Sequence, residues 1–313
     1  MDKKLNLKIL IEIGKFTNEI RKKVLINFSN NKYHSMGKVV EDIEGKIFRK
    51  GYIPSFPCSV AVNEVAAHYT FFEEDYLFKK GDVIKVDFGV SKEGYCTDCA
   101  FTIEYKSKKL KNLLEANKEA LDKQLELVNY GVSMGELGEI AEFIASRENF
   151  GTIQDLSGHQ IGRNNLHCGI NVPNYDNGDP RTITDNMELA IEPYFTLGGP
   201  KIKNSIPSNI LHLQNLKNIR DPFTRKVLNY IQQKYPHLPF SKRWLVKEFI
   251  EKIHPETDAP FSKSELLGGL RNLKREGIVH EYSTLVTKDG AINSQFEETV
   301  VFLDKKKIII TRL

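Results

Sequence analysis

The apolar positions of this chain change period several times, and each change marks an element. From Leu5 to Phe28 and from Tyr33 to Lys50 they recur every three or four residues between Lys, Glu and Asn, which predicts two amphipathic helices. After Gly51-Tyr52-Ile53-Pro54 the pattern turns strand-like, and Val83 to Val90 and Tyr95 to Tyr105 read as two strands rich in Val, Ile, Phe, Tyr and Thr. Ser91-Lys92-Glu93-Gly94 between them supplies a polar, Gly-ended break, so the pair is expected to form a hairpin. Helical spacing returns from Leu110 to Asn129 and from Met134 to Arg147, and strands are expected to resume around Met187. From about Asn218 to Gly277 three helices are expected. Asp221 before Pro222 opens the first, Ser241 opens the second through about Ile253, and a Ser262/Glu265 capping box opens the third, which Gly277 closes. Ile278 to Thr287 and Ala291 to Leu303 then read as a strand pair that completes a wing.

The hairpin carries the first sign of chemistry. If Val90 faces Tyr95, Asp87 becomes the cross-strand partner of Asp98, at a separation of roughly 4.5 to 5.5 Å where like charges repel. Alternation puts Ile84, Val86, Phe88 and Val90 on one face and Lys85, Asp87 and Gly89 on the other; Cys96, Asp98, Ala100 and Thr102 share a face on the return strand. Taken alone the pair fits two readings: solvated aspartates on an exposed sheet face, or carboxylates bridged by a divalent cation. Further candidates point to the cation. His159 lies in Gly158-His159-Gln160-Ile161-Gly162, where glycines suggest a sharp backbone turn aiming the imidazole. Glu192 and Glu297 sit in or beside apolar, strand-like runs where a buried carboxylate needs a partner. Two Asp, two Glu and a neutral His carry four negative charges, which two divalent ions would cancel.

Together with Phe56-Pro57, Asn63-Glu64-Val65-Ala66-Ala67-His68-Tyr69-Thr70, Leu166-His167-Cys168-Gly169 and Ser294-Gln295-Phe296-Glu297, these motifs resemble the methionine aminopeptidase family, specifically its type 2 class in the short archaeal form. The likeness runs from about residue 5 to the C-terminus. It implies an α+β pita-bread fold (creatinase/aminopeptidase) with two halves related by a pseudo-twofold axis. It further implies a catalytic domain of residues 1–217 and 278–313, with a helical, winged-helix-like insertion at 218–277. The family's dinuclear metal site maps onto Asp87, Asp98, His159, Glu192 and Glu297. The choice of Glu297 over Glu298 rests on the resemblance, and Glu298 stands where the family often has His, so its effect on charge or metal preference is open.

The resemblance implies hydrolysis by a metal-bridged hydroxide between two ions (Co, Mn, Fe or Zn), with Glu192 shuttling the proton. His68 and His167 would contact the substrate near its N-terminus and its scissile carbonyl. Phe56, Leu166 and Tyr282 would wall the methionine pocket. The expected substrates are nascent chains beginning Met followed by Gly, Ala, Ser, Cys, Thr, Pro or Val. Two other readings remain. One is a non-catalytic relative that binds ribosomes or nucleic acid, against which all five donors and both histidines count. The other is a prolidase-like peptidase, which would need a larger N-terminal domain before the catalytic region.

Composition adds a few bounds. The 313 residues suffice for one large domain with a smaller inserted unit. No apolar run approaches a membrane span, and Met1 to Gly14 lacks the uninterrupted apolar segment of a signal peptide, so a cytoplasmic protein without membrane partners is expected. Cys58, Cys96, Cys99 and Cys168 do not make a disulfide framework; Cys96 and Cys99 would face opposite ways on a strand, and Cys168 beside His167 is a poor nucleophile pair. Residues 201–280 hold 15 Lys and Arg against seven Asp and Glu, a balance of +8 within a chain of +4. That excess raises two readings, a lysine-rich solvated surface or a salt-sensitive contact with ribosomal RNA.

Overall fold

A computed structural model describes residues 5–251 and 262–313. Two helices, α1 (Leu7–Ser29) and α2 (Met36–Arg49), lead into β1 (Ile53–Pro54), β2 (Ser59–Val62), β3 (Val65–Ala67), β4 (Val83–Phe88), β5 (Val90–Lys92), β6 (Tyr95–Cys96) and β7 (Cys99–Glu104). The same order then repeats. Helices α3 (Lys111–Leu127) and α4 (Met134–Arg147) precede β8 (Gly151–Thr152), β9 (Gly158–Gly162), β10 (Asn165–Val172), β11 (Met187–Ile191), β12 (Tyr194–Thr196) and β13 (Ile202–Leu213). This repetition of two helices followed by antiparallel strands is the two-halved architecture that the family resemblance implies.

Local sequence explains the helices. Asn6 and Ser35 cap the backbone of α1 and α2, and Ser133 with Glu136 forms a reciprocal capping box on α4. The first helix buries Ile9, Leu10, Ile13, Thr17, Ile20, Val24 and Phe28, a single stripe, against a core that includes Ile84, Val86, Phe88, Val90 and Phe101. A second core under α3 and α4 gathers Leu121, Leu125, Leu137, Leu189, Ile191, Val300 and Phe302. The apolar face assigned to β4 is therefore the packed one.

The hairpin register differs from the expectation by two residues. Lys92 pairs with Tyr95 and Ser91 with Cys96, so Asp87 faces Ala100 rather than Asp98. The turn is two residues long, Glu93-Gly94, both at positive φ (54° and 82°), as a tight hairpin of matching twist requires. A shift of two preserves the alternation, so Asp87 and Asp98 still share a face. The strand pattern also returns earlier than Met187: β9 and β10 form a hairpin whose tip meets the first, with Asn164 N donating to Gly94 O at 2.7 Å and Arg163 Nε to Glu93 O at 3.0 Å. The glycine before His159 does not make a turn. A Cβ on Gly158 would lie 2.4 Å from Ala190 O, so glycine here lets β9 approach β11.

Residues 218–251 and 262–277 form α5 (Pro222–Lys234), β14 (Phe240–Ser241), α6 (Lys242–Val246) running into a π-helical turn (Lys247–Glu251), and α7 (Lys263–Arg275). Asp221, Ser241 and Ser262 cap these helices, the last with Glu265 in a capping box. The expected continuation of the second helix to Ile253 lies outside the described residues. The wing differs from expectation. The strand β15 (Val279–Thr287) pairs with β13 and β3, whereas 291–303 divides into β16 (Asn293–Gln295) on β12 and β17 (Glu298–Leu303) between β11 and β18 (Lys306–Ile309). The chain leaves one sheet for another at this point, so no hairpin forms.

Arg243 ties α6 to α2. It pairs with buried Glu44 of α2 at 2.5 Å and donates to Phe71 O at 2.8 Å, while Trp244 Nε1 donates to the same Glu44 carboxylate at 2.7 Å. Glu44 also accepts from Cys58 N at 3.1 Å.

Lys85 is buried to 1 % exposure among the strands, and its ammonium donates to Asn63 O and Asn293 O, both at 3.0 Å. Burial lowers its pKa to about 7. Because the folded value lies below the unfolded one of about 10.4, this group's contribution to stability is full above that pH and is lost as pH falls through about 7. Lys85→Met is therefore expected to change relative stability with pH. The difference in free energy between variant and parent should move by about 2–4 kcal/mol in the variant's favour from pH 10 to pH 6. Denaturant melts at both pH values check this, and a pH-independent difference contradicts it.

Candidate metal centre

Four carboxylates and an imidazole converge where the two halves meet. Asp87 comes from β4, Asp98 from the interrupted start of β7, His159 from β9, Glu192 from the end of β11 and Glu297 from the link between β16 and β17. Ligand atoms of Asp98, His159 and Glu297 lie within 4.8 Å of one another. His159 Nε2 is 3.5 Å from Asp98 Oδ2 and 3.6 Å from Glu192 Oε1. Asp87 and Glu192 face the same cavity, which has a volume of about 220 Å³ and is also lined by Phe56, His68, Leu166, His167 and Tyr282. All ten residues expected from the sequence thus meet in one place. A larger open groove of about 790 Å³ between α1 and α3 holds none of them.

The electrostatics are those of a site built for cations. Burial raises Asp87, Glu192 and Glu297 well above the ordinary carboxylate range, with the neighbouring acids adding to it, and pushes Asp98 up to about 7. Burial also lowers His159 and His68 to about 4, so both imidazoles are neutral at pH 7. Asp87 Oδ1, Asp98 Oδ1, Glu297 Oε1 and His159 Nδ1 are buried and lack a hydrogen-bond partner among the described residues. Orphaned donors and acceptors of this kind are costly unless something else binds them. A hard divalent cation suits this oxygen-rich set with one nitrogen.

Glu298 is not part of the cluster. It lies on the other face of the strand, accepting from Arg21 Nη1 at 2.7 Å, Arg312 Nε at 2.8 Å and Thr311 Oγ1 at 2.5 Å. Its charge is spent on two arginines and adds nothing to the cavity. Strand alternation keeps this extra acid out of the cluster.

Four contributors are not evident from the sequence alone. Gln295 Nε2 donates to Glu192 Oε2 at 3.0 Å and reaches Glu297 Oε2 at 3.5 Å, and Tyr194 hydrogen-bonds Glu192. Gln295 lies two residues before Glu297, so period-two alternation would have placed both on one face. Between α5 and β14, Pro239 lines the cavity and Leu238 packs with Phe56, Cys96, Ile161, Leu166 and Ala190. His68 follows β3 at φ +57°, an uncommon conformation for a non-glycine residue, with its ring 5.3 Å from that of Tyr282. The His167 ring lies 4.1 Å from that of His159 and is exposed at the rim. Cys96 and Cys99 face opposite ways, one into the apolar cluster at the site and the other toward Arg21.

The model of metallopeptidase family M24 matches residues 10–212. A methionine aminopeptidase of Methanocaldococcus jannaschii is 31% identical over 304 residues, covering 97% of both chains. Among solved structures, a thermophilic Arx1 superposes with a TM-score of 0.76 at 17% identity, covering 98% of this chain and 91% of that one. The methionine aminopeptidase of Rickettsia prowazekii gives 0.65 at 18% identity, covering 99% of this chain and 100% of that one.

Proposed function

This chain belongs to metallopeptidase family M24, and from that premise we propose that it removes N-terminal methionine from polypeptides whose second residue is small. The observation that carries the proposal is the convergence of five donor side chains, four of them with an unpartnered buried atom, on a cavity with neutral histidines and apolar walls. Asp87, Asp98, His159, Glu192 and Glu297 would hold two divalent ions, whose identity among Co, Mn, Fe and Zn their oxygen-rich set does not select. When bound, such ions polarise a carbonyl and lower the pKa of water.

In this reading Glu192 takes a proton from the attacking water and returns it to the amine nitrogen as the C–N bond breaks, while Gln295 holds its other oxygen. His68 and His167, uncharged at pH 7 in the case of His68, hydrogen-bond the substrate backbone without competing for the acids. Phe56, Leu166, Tyr282 and Pro239 enclose a side chain of limited size.

A ribosome contact through the basic insertion belongs to the same proposal, but pairing reduces its free charge. Lys263 is bound to Glu73, Lys274 and Lys242 to Glu281, and Arg243 to Glu44. The described helices include none long and apolar enough to cross a membrane.

A chelated preparation titrated with Mn²⁺ or Co²⁺ is expected to regain cleavage of Met-Ala-Ser and to leave Xaa-Pro peptides intact. Cleavage of only the Xaa-Pro peptides would favour the prolidase-like reading, and no metal-dependent cleavage of either would favour the non-catalytic one.

A further inference from the structure

Asp98 occupies the gap between β6 and β7, where the hairpin passes from one sheet to another. The ladder pairs Asp87 with Ala100 and Phe88 with Cys99, then resumes at Ser91 with Cys96. Asp98 lies between these stretches, and its backbone N–H and C=O both find one partner on another strand. Thr299 Oγ1 accepts from Asp98 N at 2.8 Å and donates to Asp98 O at 2.7 Å. One residue pair along, Glu297 N donates to Ala100 O at 2.9 Å. The segment carrying Glu297 therefore grips the segment carrying Asp98 at two points. Thr299 is itself fully buried, and its N–H donates to Thr311 Oγ1 at 2.9 Å.

A hydroxyl is the side-chain group that can donate and accept at a single atom in so small a volume. Its branched Cβ also restricts χ1. We propose that Thr299 is a positioning residue, which holds Asp98 and Glu297 at ligating separation before any ion arrives. The inference rests on the reading of those two acids as metal ligands. Without the clip, the two buried acids would be free to draw apart, and each ion bound would have to pull them back. Outer partners of metal ligands typically account for 10–100-fold in affinity.

Mn²⁺ binding to the chelated full-length protein, measured calorimetrically for the parent, Thr299→Val, Thr299→Ser and Thr311→Val, tests this. Thr299→Val is expected to bind about 10–100-fold more weakly, and Thr299→Ser within about threefold of the parent. At saturating Mn²⁺ the KM for Met-Ala-Ser should be unchanged in all. Thr311→Val serves as the structural control: it lowers the thermal midpoint but should keep parental Mn²⁺ affinity. If Thr299→Val does not fold, Thr299→Ala is read in its place. Parental affinity in Thr299→Val, equal weakness in Thr299→Ser, or matching loss in Thr311→Val overturns the inference. A parent protein that binds no Mn²⁺ overturns the metal reading itself, which is a separate result.

Discussion

Asp98→Ala is expected to lower kcat/KM on Met-Ala-Ser by about 10³-fold at saturating metal, because a lost metal site removes several kcal/mol of charge stabilisation from the transition state. The same change should stabilise the metal-free protein. Burial raises the Asp98 pKa to about 7, above an unfolded value of about 3.9, so its favourable contribution is complete below pH 4 and lost as pH rises through 7. The thermal midpoint of the chelated variant should therefore exceed that of the parent by a margin that grows from pH 4 and levels off above about pH 7. Stability gained where activity is lost is the expected trade at a functional site. Full activity in the variant contradicts the ligand assignment, and a lower midpoint at every pH contradicts the electrostatic account.

Glu298→Ala should do the reverse, damaging the fold while sparing the metals. Removing this carboxylate leaves Arg21, whose side chain is 15% exposed, without its acid partner. Breaking such a buried pair costs about 3–5 kcal/mol. Arg312 is more exposed and keeps Asp122 at 2.6 Å, which places the loss toward the lower end. A fall of about 5–10 °C in thermal midpoint is expected, with Mn²⁺ affinity within about threefold of the parent. A large loss of affinity with an unchanged midpoint would show that Glu298 acts at the ions after all.

How much of this was legible beforehand depended on whether the signal was local. The caps at Asp221, Ser241 and Ser262 and the apolar stripe of α1 are local, and the sequence reading placed those helices within a few residues. The register of the Asp87/Asp98 hairpin was not, because a four-residue polar stretch does not reveal that only Glu93 and Gly94 turn. The faces survived the error since a two-residue slip restores the alternation. The strands β9 and β10 were missed because Gly, His, Asn and Cys dilute their apolar pattern; pairing with β11 holds them. The divergence of 278–287 from 291–303 is likewise tertiary. Gln295 was passed over because a neutral amide between Ser and Phe looks unremarkable until Glu192 and Glu297 are seen beside it.

The Glu44 carboxylate has consequences for engineering this protein. It receives Arg243 and Trp244 from α6 on one side and the Cys58 amide on the other, while Arg243 also holds Phe71, three residues beyond His68. Trimming the helical segment to obtain a minimal enzyme would strand an anion in the interior and unfasten the stretch that follows His68. Those helices are thus joined, through Arg243 and Phe71, to the stretch of chain that brings His68 to the cavity.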